Sequence, residues 1–152
     1  KSLTNKLFKN NYILIFPFCS KKHIKKMWPY YRELIDELKK IFKNYEIALA
    51  PGNGEIEASR KFNAHVILDK NNILNLNQLI SLINNASFII SNDTGPAHIC
   101  SHLNKKGLVL FGSHTTAKKV SIETTNLKTL SVENLNDLDV STVLGEVKKY
   151  LN

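Results

Sequence analysis

Short apolar segments alternate with helical segments along the chain, and this alternation constrains the fold more than any other feature of the sequence. The apolar segments are continuous, which is typical of strands that are buried on both faces of a parallel sheet. Parallel strands need crossover connections, and the helical segments supply them. The sequence therefore predicts an α/β domain with a parallel sheet of about six strands and helices on both faces.

The predicted strands are short runs rich in β-branched and aromatic residues. They cover residues 12–16, 46–50, 65–68, 87–91, 107–111 and 127–132. In the predicted helices, apolar residues recur every three or four positions. They cover residues 28–42, 55–62, 76–83, 96–103 and 140–151. Parallel sheets bind ligands beyond the carboxyl ends of their strands, so we expect a site in the loops after the first, second, fourth and fifth strands.

Composition excludes several classes of protein. With 152 residues, of which 43% are hydrophobic, the chain has the size and balance of one globular domain. No apolar run approaches the roughly 18 residues of a membrane-spanning helix. The two cysteines, Cys19 and Cys100, are too few for a disulfide-stapled scaffold.

The chain is basic, with a formal net charge of +8 from 21 lysine and arginine residues against 13 aspartate and glutamate residues. Such a balance is compatible with nucleic acid, anionic lipid or a phosphorylated ligand. Only Arg32 and Arg60 are arginines, however, and bidentate contacts to guanine depend on arginine. Nucleic acid is therefore not expected as a partner. A non-catalytic basic domain that docks on anionic surfaces stays open as an alternative.

The strongest motif is Ser91-Asn-Asp-Thr-Gly-Pro-Ala-His98, which follows the fourth predicted strand and opens a helix. Gly95 lets a ligand approach the backbone, the proline presets the first helical turn, and Thr94 adds a hydroxyl donor. The N–H groups and the dipole of a helix start favour an anion, typically a phosphate. The alternative is that Asn92, Asp93 and Thr94 only cap the helix. One cap residue would suffice, so the motif favours ligand binding.

Two further loops at the same edge of the sheet carry charged residues. The loop after the first strand holds a basic cluster: Lys21, Lys22, His23, Lys25 and Lys26. Such a run is usually a solvated face, but one or two ammonium groups could neutralise a diphosphate. The turn Pro51-Gly-Asn-Gly54 precedes Glu55 and Glu57, which either complement a helix dipole or bind ribose hydroxyls. The spacing leaves that choice open.

No metal site is expected from the sequence. It contains no His-Glu-x-x-His or Cys-x-x-Cys motif and no carboxylate pair that suggests a metal. His98 falls in the first turn after the Asp93 loop, where packing or capping is as compatible with its position as a functional role.

The strongest motif also resembles a known family. Together with Asn85-Ala-Ser-Phe-Ile-Ile90 before it and Leu108-Val-Leu-Phe-Gly112 after it, the motif resembles the C-terminal domain of the ADP-heptose:lipopolysaccharide heptosyltransferases, glycosyltransferase family 9. Three other segments agree in order with that family: Ile15-Phe-Pro17 with Lys26-Met-Trp-Pro29, Leu49-Ala-Pro-Gly-Asn-Gly-Glu55, and the closing helix at residues 140–151.

This resemblance implies the C-terminal half of a two-domain GT-B enzyme, built on a Rossmann-like sheet. Residues 1–11 would begin the domain, and residues 12–152 would form the part that binds the nucleotide-sugar donor. The family is metal-independent and uses no cofactor, and its catalytic carboxylate belongs to an N-terminal domain that these residues do not include. The chain alone is therefore expected not to turn over.

The resemblance also implies partners and site residues. The donor is an ADP-sugar, in the family ADP-heptose, and the acceptor is a lipid-linked saccharide that meets the N-terminal domain. The protein is expected in the cytoplasm, with peripheral contact to the cytoplasmic face of the inner membrane. By position, the resemblance implies that Asp93, Thr94 and Gly95 bind the diphosphate, with support from His98. It also implies that Lys26 binds phosphate. Glu55, rather than Glu57, is implied to bind the ribose.

The chain departs from the family pattern in two loops. After Gly112 it continues Ser113-His-Thr-Thr116 and then Lys118-Lys119, where the family commonly has Pro-Thr-Asp-Pro. The first loop has Phe18-Cys-Ser20 in place of a Gly-x-Ser type of turn. A related GT-B-like domain for UDP-sugars, in a transferase or an epimerase, therefore remains an alternative.

Overall fold

Six parallel strands form one sheet in the computed structural model, which describes residues 11–19, 26–112 and 122–151. The strand order is β3-β2-β1-β4-β5-β6. The strands are β1 (Asn11–Phe16), β2 (Tyr45–Leu49), β3 (His65–Val66), β4 (Phe88–Asn92), β5 (Gly107–Phe111) and β6 (Leu127–Ser131). The predicted parallel sheet is confirmed. Of the predicted strands, β3 differs most in length, because only two of its four residues are in strand conformation.

Helices cover both faces of the sheet, as predicted. The described α-helices are α1 (Tyr31–Ile41), α2 (Ile56–Ser59), α3 (Leu76–Asn85), α4 (Gly95–His102) and α5 (Val140–Leu151). A 3-10 turn at Leu135–Asp137, which the sequence did not predict, precedes α5. Among the described residues, no helix has the length and apolar composition needed to cross a membrane.

Strand β1 is the centre of both hydrophobic cores. Ile13 and Ile15 belong to the core that α1 and α5 cover, whereas Leu14 belongs to the core that α3 and α4 cover. Successive side chains of a strand point to opposite faces, so a strand between two helical layers must be apolar at every position. This explains why the apolar run is continuous.

Two predicted helices differ from the observed ones by three residues at one end. Helix α1 starts at Tyr31 rather than at Trp28, because the Trp28 backbone N–H donates to Asn92 Oδ1 (3.2 Å) and its indole N–H donates to Leu138 O (2.8 Å). These long-range bonds hold Trp28 outside the helix. Helix α2 ends at Ser59, so the predicted helix over residues 55–62 is only one turn long.

The sheet extends from β1 in both directions: β2 and β3 follow on one side, and β4, β5 and β6 follow on the other. Strand β1 pairs with β2 on one side and with β4 on the other, and the chain reaches those neighbours by crossovers in opposite directions. The loops after β1 and β4 therefore diverge and leave a crevice at the carboxyl ends of these two strands. Open parallel sheets bind ligands in such a crevice.

Gly107, the first residue of β5, lies directly against β4. A Cβ atom at this position would be 2.6 Å from Ile89 O, closer than real Cβ atoms approach a backbone oxygen. We expect Gly107→Ala to lower the free energy of unfolding by about 1–3 kcal/mol, the usual cost of overpacking, as measured by urea denaturation.

Gly145 is the matched control for this substitution. A Cβ atom there would meet nothing within 4 Å, and alanine is the better helix former. Gly145→Ala should therefore raise the free energy of unfolding by about 0.5–1 kcal/mol. A Gly107→Ala protein as stable as the wild type would contradict the close approach of β4 and β5.

Candidate functional site

The turn between β4 and α4 contains a buried ion pair. The Asp93 carboxylate is only 3% exposed, and its Oδ2 lies 3.3 Å from the ammonium nitrogen of Lys26, which is 12% exposed. The ammonium group comes from the loop after β1, so the structure joins two of the predicted site loops. Asp93 Oδ2 lies within ion-pair distance of the lysine but makes no hydrogen bond.

Thr94 occupies the N-cap position of α4, but its side chain does not cap the helix. Its hydroxyl oxygen is buried and has no hydrogen-bond partner. The described residues contain three such buried side-chain oxygen atoms, and two of them, on Asp93 and Thr94, belong to this one turn. Buried polar atoms without a partner are rare, since each costs free energy. The interpretation that this motif only caps a helix therefore does not account for Thr94.

The start of α4 is open to solvent. Gly95 is exposed, and a Cβ atom built on it would meet no atom within 4 Å. His98 is also exposed and follows Thr94 by four residues, so both lie on the same side of the helix. The partial positive charge of a helix start is therefore accessible beside the Asp93–Lys26 pair.

Asn92 has a role that the sequence did not indicate. It is fully buried, and its side chain makes three hydrogen bonds: Oδ1 accepts from Trp28 N (3.2 Å) and from Tyr31 Oη (3.0 Å), and Nδ2 donates to Pro17 O (3.0 Å). The partners lie between 61 and 75 residues away along the chain. No local pattern could have revealed them.

The two acidic candidates after β2 differ in their contacts. Glu55 is half-buried, and its Oε1 accepts a hydrogen bond from Gly52 N (2.8 Å). Glu57 is exposed and pairs with Arg60 on the same turn of helix (3.3 Å). Of the two, Glu55 is thus the carboxylate held at the sheet edge.

Cys19 follows β1, and the pKa of its thiol is raised above its ordinary value. Burial raises the pKa of its thiol, and the Glu55 carboxylate raises it further, whereas the Lys26 ammonium lowers it. The thiol therefore lies within the field of both charged groups. Because its pKa is raised, it stays protonated at neutral pH and is a poor nucleophile.

Some predicted features fall outside the described residues. Lys21, Lys22, His23 and Lys25 of the first loop belong to these, as does the segment from Ser113 to Lys119. Within the described ranges 11–19, 26–112 and 122–151, no group of three or more His, Cys, Asp or Glu side chains could hold a metal ion.

A cavity of about 880 Å³ lies next to the Asp93 turn, on the side of the sheet that α1 covers. It is lined by the ends of β1 and β5, the start of α1, the end of α2 and the segment before α5, and its lining includes Pro17, Trp28 and Tyr31. Its size is that of a small-molecule site. None of the three buried oxygen atoms without a partner belongs to its lining residues.

The fold and the site together define a Rossmann-like α/β domain with an accessible helix start and a lysine at its switch point. A model of glycosyltransferase family 9 (heptosyltransferase) matches residues 1–144 of the 152-residue sequence. The chain belongs to this family, as its motifs indicated.

Two solved heptosyltransferases and a solved epimerase have a similar fold. E. coli heptosyltransferase WaaC with ADP matches with a TM-score of 0.78 and 20% identity, over 93% of this chain and 44% of that chain. E. coli ADP-heptose LPS heptosyltransferase II matches with a TM-score of 0.77 and 19% identity, over 97% and 48%. Methanocaldococcus jannaschii UDP-GlcNAc 2-epimerase, in complex with UDP-GlcNAc and UDP, matches with a TM-score of 0.64 and 15% identity, over 97% and 40%.

The chain spans less than half the length of these three solved proteins. At such identities the likeness concerns the fold, and it confirms the predicted half of a GT-B architecture. A comparison with curated protein sequences gave no match.

The buried ion pair predicts a large effect of removing its cation. Lys26→Met leaves the Asp93 carboxylate buried without a counter-charge, so we expect the free energy of unfolding in urea to fall by about 3 kcal/mol. Lys40→Met is the control, because that ammonium pairs with Glu37 at a similar distance (3.2 Å) but is 70% exposed. It should change stability by less than about 0.5 kcal/mol. Equal effects of the two substitutions would contradict the burial of the Lys26–Asp93 pair.

Proposed function

We propose that the chain binds the nucleotide-sugar donor of a metal-independent glycosyltransferase, and that the donor is an ADP-sugar such as ADP-heptose. The observation that carries this proposal is the turn after β4. It holds two buried oxygen atoms without a hydrogen-bond partner, beside a largely buried ammonium group and an open helix start. A ligand with both hydroxyl groups and negative charge would satisfy all of these groups at once.

The charges at the turn are suited to a diphosphate. An ammonium group has three N–H donors, so Lys26 can bind a phosphate oxygen while it keeps its contact with Asp93. The Thr94 hydroxyl can donate to a second phosphate oxygen, and Asp93 Oδ2 is left as an acceptor for a sugar hydroxyl. Gly95 leaves room for the ligand, and His98 would support the diphosphate from the next turn.

Glu55 is proposed to bind the ribose. One of its carboxylate oxygens is fixed by Gly52 N–H, which orients the group, and the carboxylate retains further capacity to accept hydrogen bonds from the ribose hydroxyls. Glu55 follows β2 and Lys26 follows β1, and these neighbouring parallel strands end at the same edge of the sheet. We therefore propose that one nucleotide reaches from the ribose site to the diphosphate site.

In the proposed reaction, the bond between the anomeric carbon and the diphosphate oxygen breaks while an acceptor hydroxyl oxygen bonds to that carbon. The hydroxyl proton passes to a base, and ADP leaves with its bonding electrons. Lys26 and the start of α4 would stabilise the charge that develops on the departing diphosphate, which is the task of a metal ion elsewhere. We propose that the base lies outside these 152 residues.

The remaining partners follow from the same proposal. The acceptor would be a lipid-linked saccharide of lipopolysaccharide, held by a domain outside these residues. The protein would act in the cytoplasm, at the cytoplasmic face of the inner membrane where such a lipid is accessible.

Calorimetric titration tests the donor site directly. We expect saturable binding of ADP that persists in EDTA and is weaker for UDP and GDP. Thr94→Ala should weaken ADP binding about fivefold, because one hydrogen bond to a charged phosphate is lost. Thr125→Ala, which truncates an exposed threonine before β6, is the control and should bind ADP like the wild type.

The outcomes separate the alternatives. A preference for UDP would favour a UDP-sugar transferase or epimerase domain, and salt-sensitive binding without nucleotide selectivity would favour a basic docking domain. If Thr94→Ala bound ADP as tightly as the wild type, the diphosphate would not lie at this turn.

The chain alone is expected to bind the donor without transferring its sugar, because the matched structures are about twice as long. Incubation with ADP-heptose and a lipid-linked acceptor, followed by mass spectrometry of the lipid, should show no product. Transfer at a rate well above the uncatalysed reaction would show that these residues contain the base.

A further inference from the structure

The Asn92 side chain binds both ends of the loop that follows β1. Pro17 and Trp28 flank the segment that contains Lys26, and one accepts from Asn92 Nδ2 while the other donates to Asn92 Oδ1. The next residue after Asn92 is Asp93, the partner of Lys26. The buried Asn92 amide thus fixes both ends of this loop. The neighbouring residue, Asp93, forms the ion pair with Lys26 of the same loop.

Tyr31 completes the arrangement from α1. Its hydroxyl donates to Asn92 Oδ1 at 3.0 Å, and its ring packs edge-to-face on Trp28 with 5.0 Å between ring centroids. Burial, with a smaller effect of the Cys19 thiol, raises the pKa of Tyr31 well above its ordinary value, so the phenol keeps its proton and remains a donor.

The chemistry of the amide matches these three partners. Oδ1 accepts two hydrogen bonds and Nδ2 donates one, a combination that an aspartate cannot supply because it has no donor when ionised. Pro17, Trp28 and Tyr31 also line the cavity beside the turn after β4. The hydrogen bonds of Asn92 therefore connect this cavity lining to that turn.

We propose that Asn92 is a positioning residue that, together with Tyr31, holds Lys26 against Asp93 and so sets the geometry of the donor phosphate site. Fixing both ends of the loop reduces the entropy that Lys26 loses when it meets the phosphate. This inference rests on the proposed donor function, but experiment can reject either one without rejecting the other.

Tyr31→Phe is the informative variant, because Asn92→Ala would leave several buried groups without partners and lower the stability of the fold. Tyr31→Phe removes one hydroxyl and keeps the ring. We expect its ADP affinity, measured by calorimetry, to be about fivefold weaker than that of the wild type. Tyr30→Phe is the matched control: its hydroxyl donates to Asn136 O (2.9 Å), away from Asn92, and its ADP affinity should stay within twofold.

A double-mutant cycle with Lys26→Met distinguishes positioning from a general loss of stability. If Tyr31 acts through Lys26, then Tyr31→Phe should weaken ADP binding in the wild type but have no further effect in the Lys26→Met protein. The same fivefold loss in both backgrounds, or an equal loss in Tyr30→Phe, would overturn the inference while leaving the donor function intact.

A second cycle tests the inference without any nucleotide. Lys26→Met and Asp93→Asn, alone and together, give the coupling of the ion pair in urea unfolding. We expect a coupling of about tenfold in the unfolding constant, which Tyr31→Phe reduces to less than about threefold. If the wild type bound no ADP, the donor function would fail and this cycle would still decide the role of Asn92. An unchanged coupling in Tyr31→Phe would overturn that role.

Discussion

The structure depends on the burial of β1 between two helical layers and two parallel neighbours. Every position from Tyr12 to Phe16 is buried, and the strand pairs with both β2 and β4. Parallel strands are joined by crossovers, and here the connections from β1 to β2 and from β3 to β4 place β2 and β4 on opposite sides of β1. The crevice at the carboxyl end of β1 is the geometric result, so the packing that stabilises the sheet also fixes where a ligand can bind.

At that crevice the protein itself supplies positive charge. Lys26 supplies a fixed positive charge, the start of α4 adds a partial one, and Asp93 keeps the lysine in place. A buried ion pair contributes little to stability, since desolvation offsets much of its attraction. Its presence at a turn that also contains buried oxygen atoms without partners is the observation on which the proposed donor site depends.

Sequence reasoning succeeded where a pattern is local. The continuous apolar run of β1, the period of α5 and the Gly-Pro start of α4 each follow from residues within one element, and each was predicted within about one residue. It failed at Trp28 and Asn92, because the contacts that remove Trp28 from α1 come from residues more than 60 positions away. At Trp28 and Asn92, which both lie beside the candidate site, long-range contacts thus override the local pattern. The placement of Lys26, Asp93 and Glu55 at one edge followed from the order of the strands, whereas their roles toward a nucleotide remain predictions.

In the proposed donor site, the turn after β4 cannot by itself select the nucleotide base. The same architecture occurs in heptosyltransferases and in a UDP-GlcNAc 2-epimerase at 15–20% identity, so the fold does not select the base. A helix start and a lysine recognise phosphate, which every nucleotide carries. Selectivity therefore depends on groups beyond the ribose site. The loop after β3 lies at that edge of the sheet: it holds Lys70 and Asn71 with positive φ angles in a tight turn closed by reciprocal hydrogen bonds between Asp69 and Asn72. Such a turn has a defined backbone shape, and a change in its length or sequence would be one way to alter base selectivity without changing the proposed phosphate site.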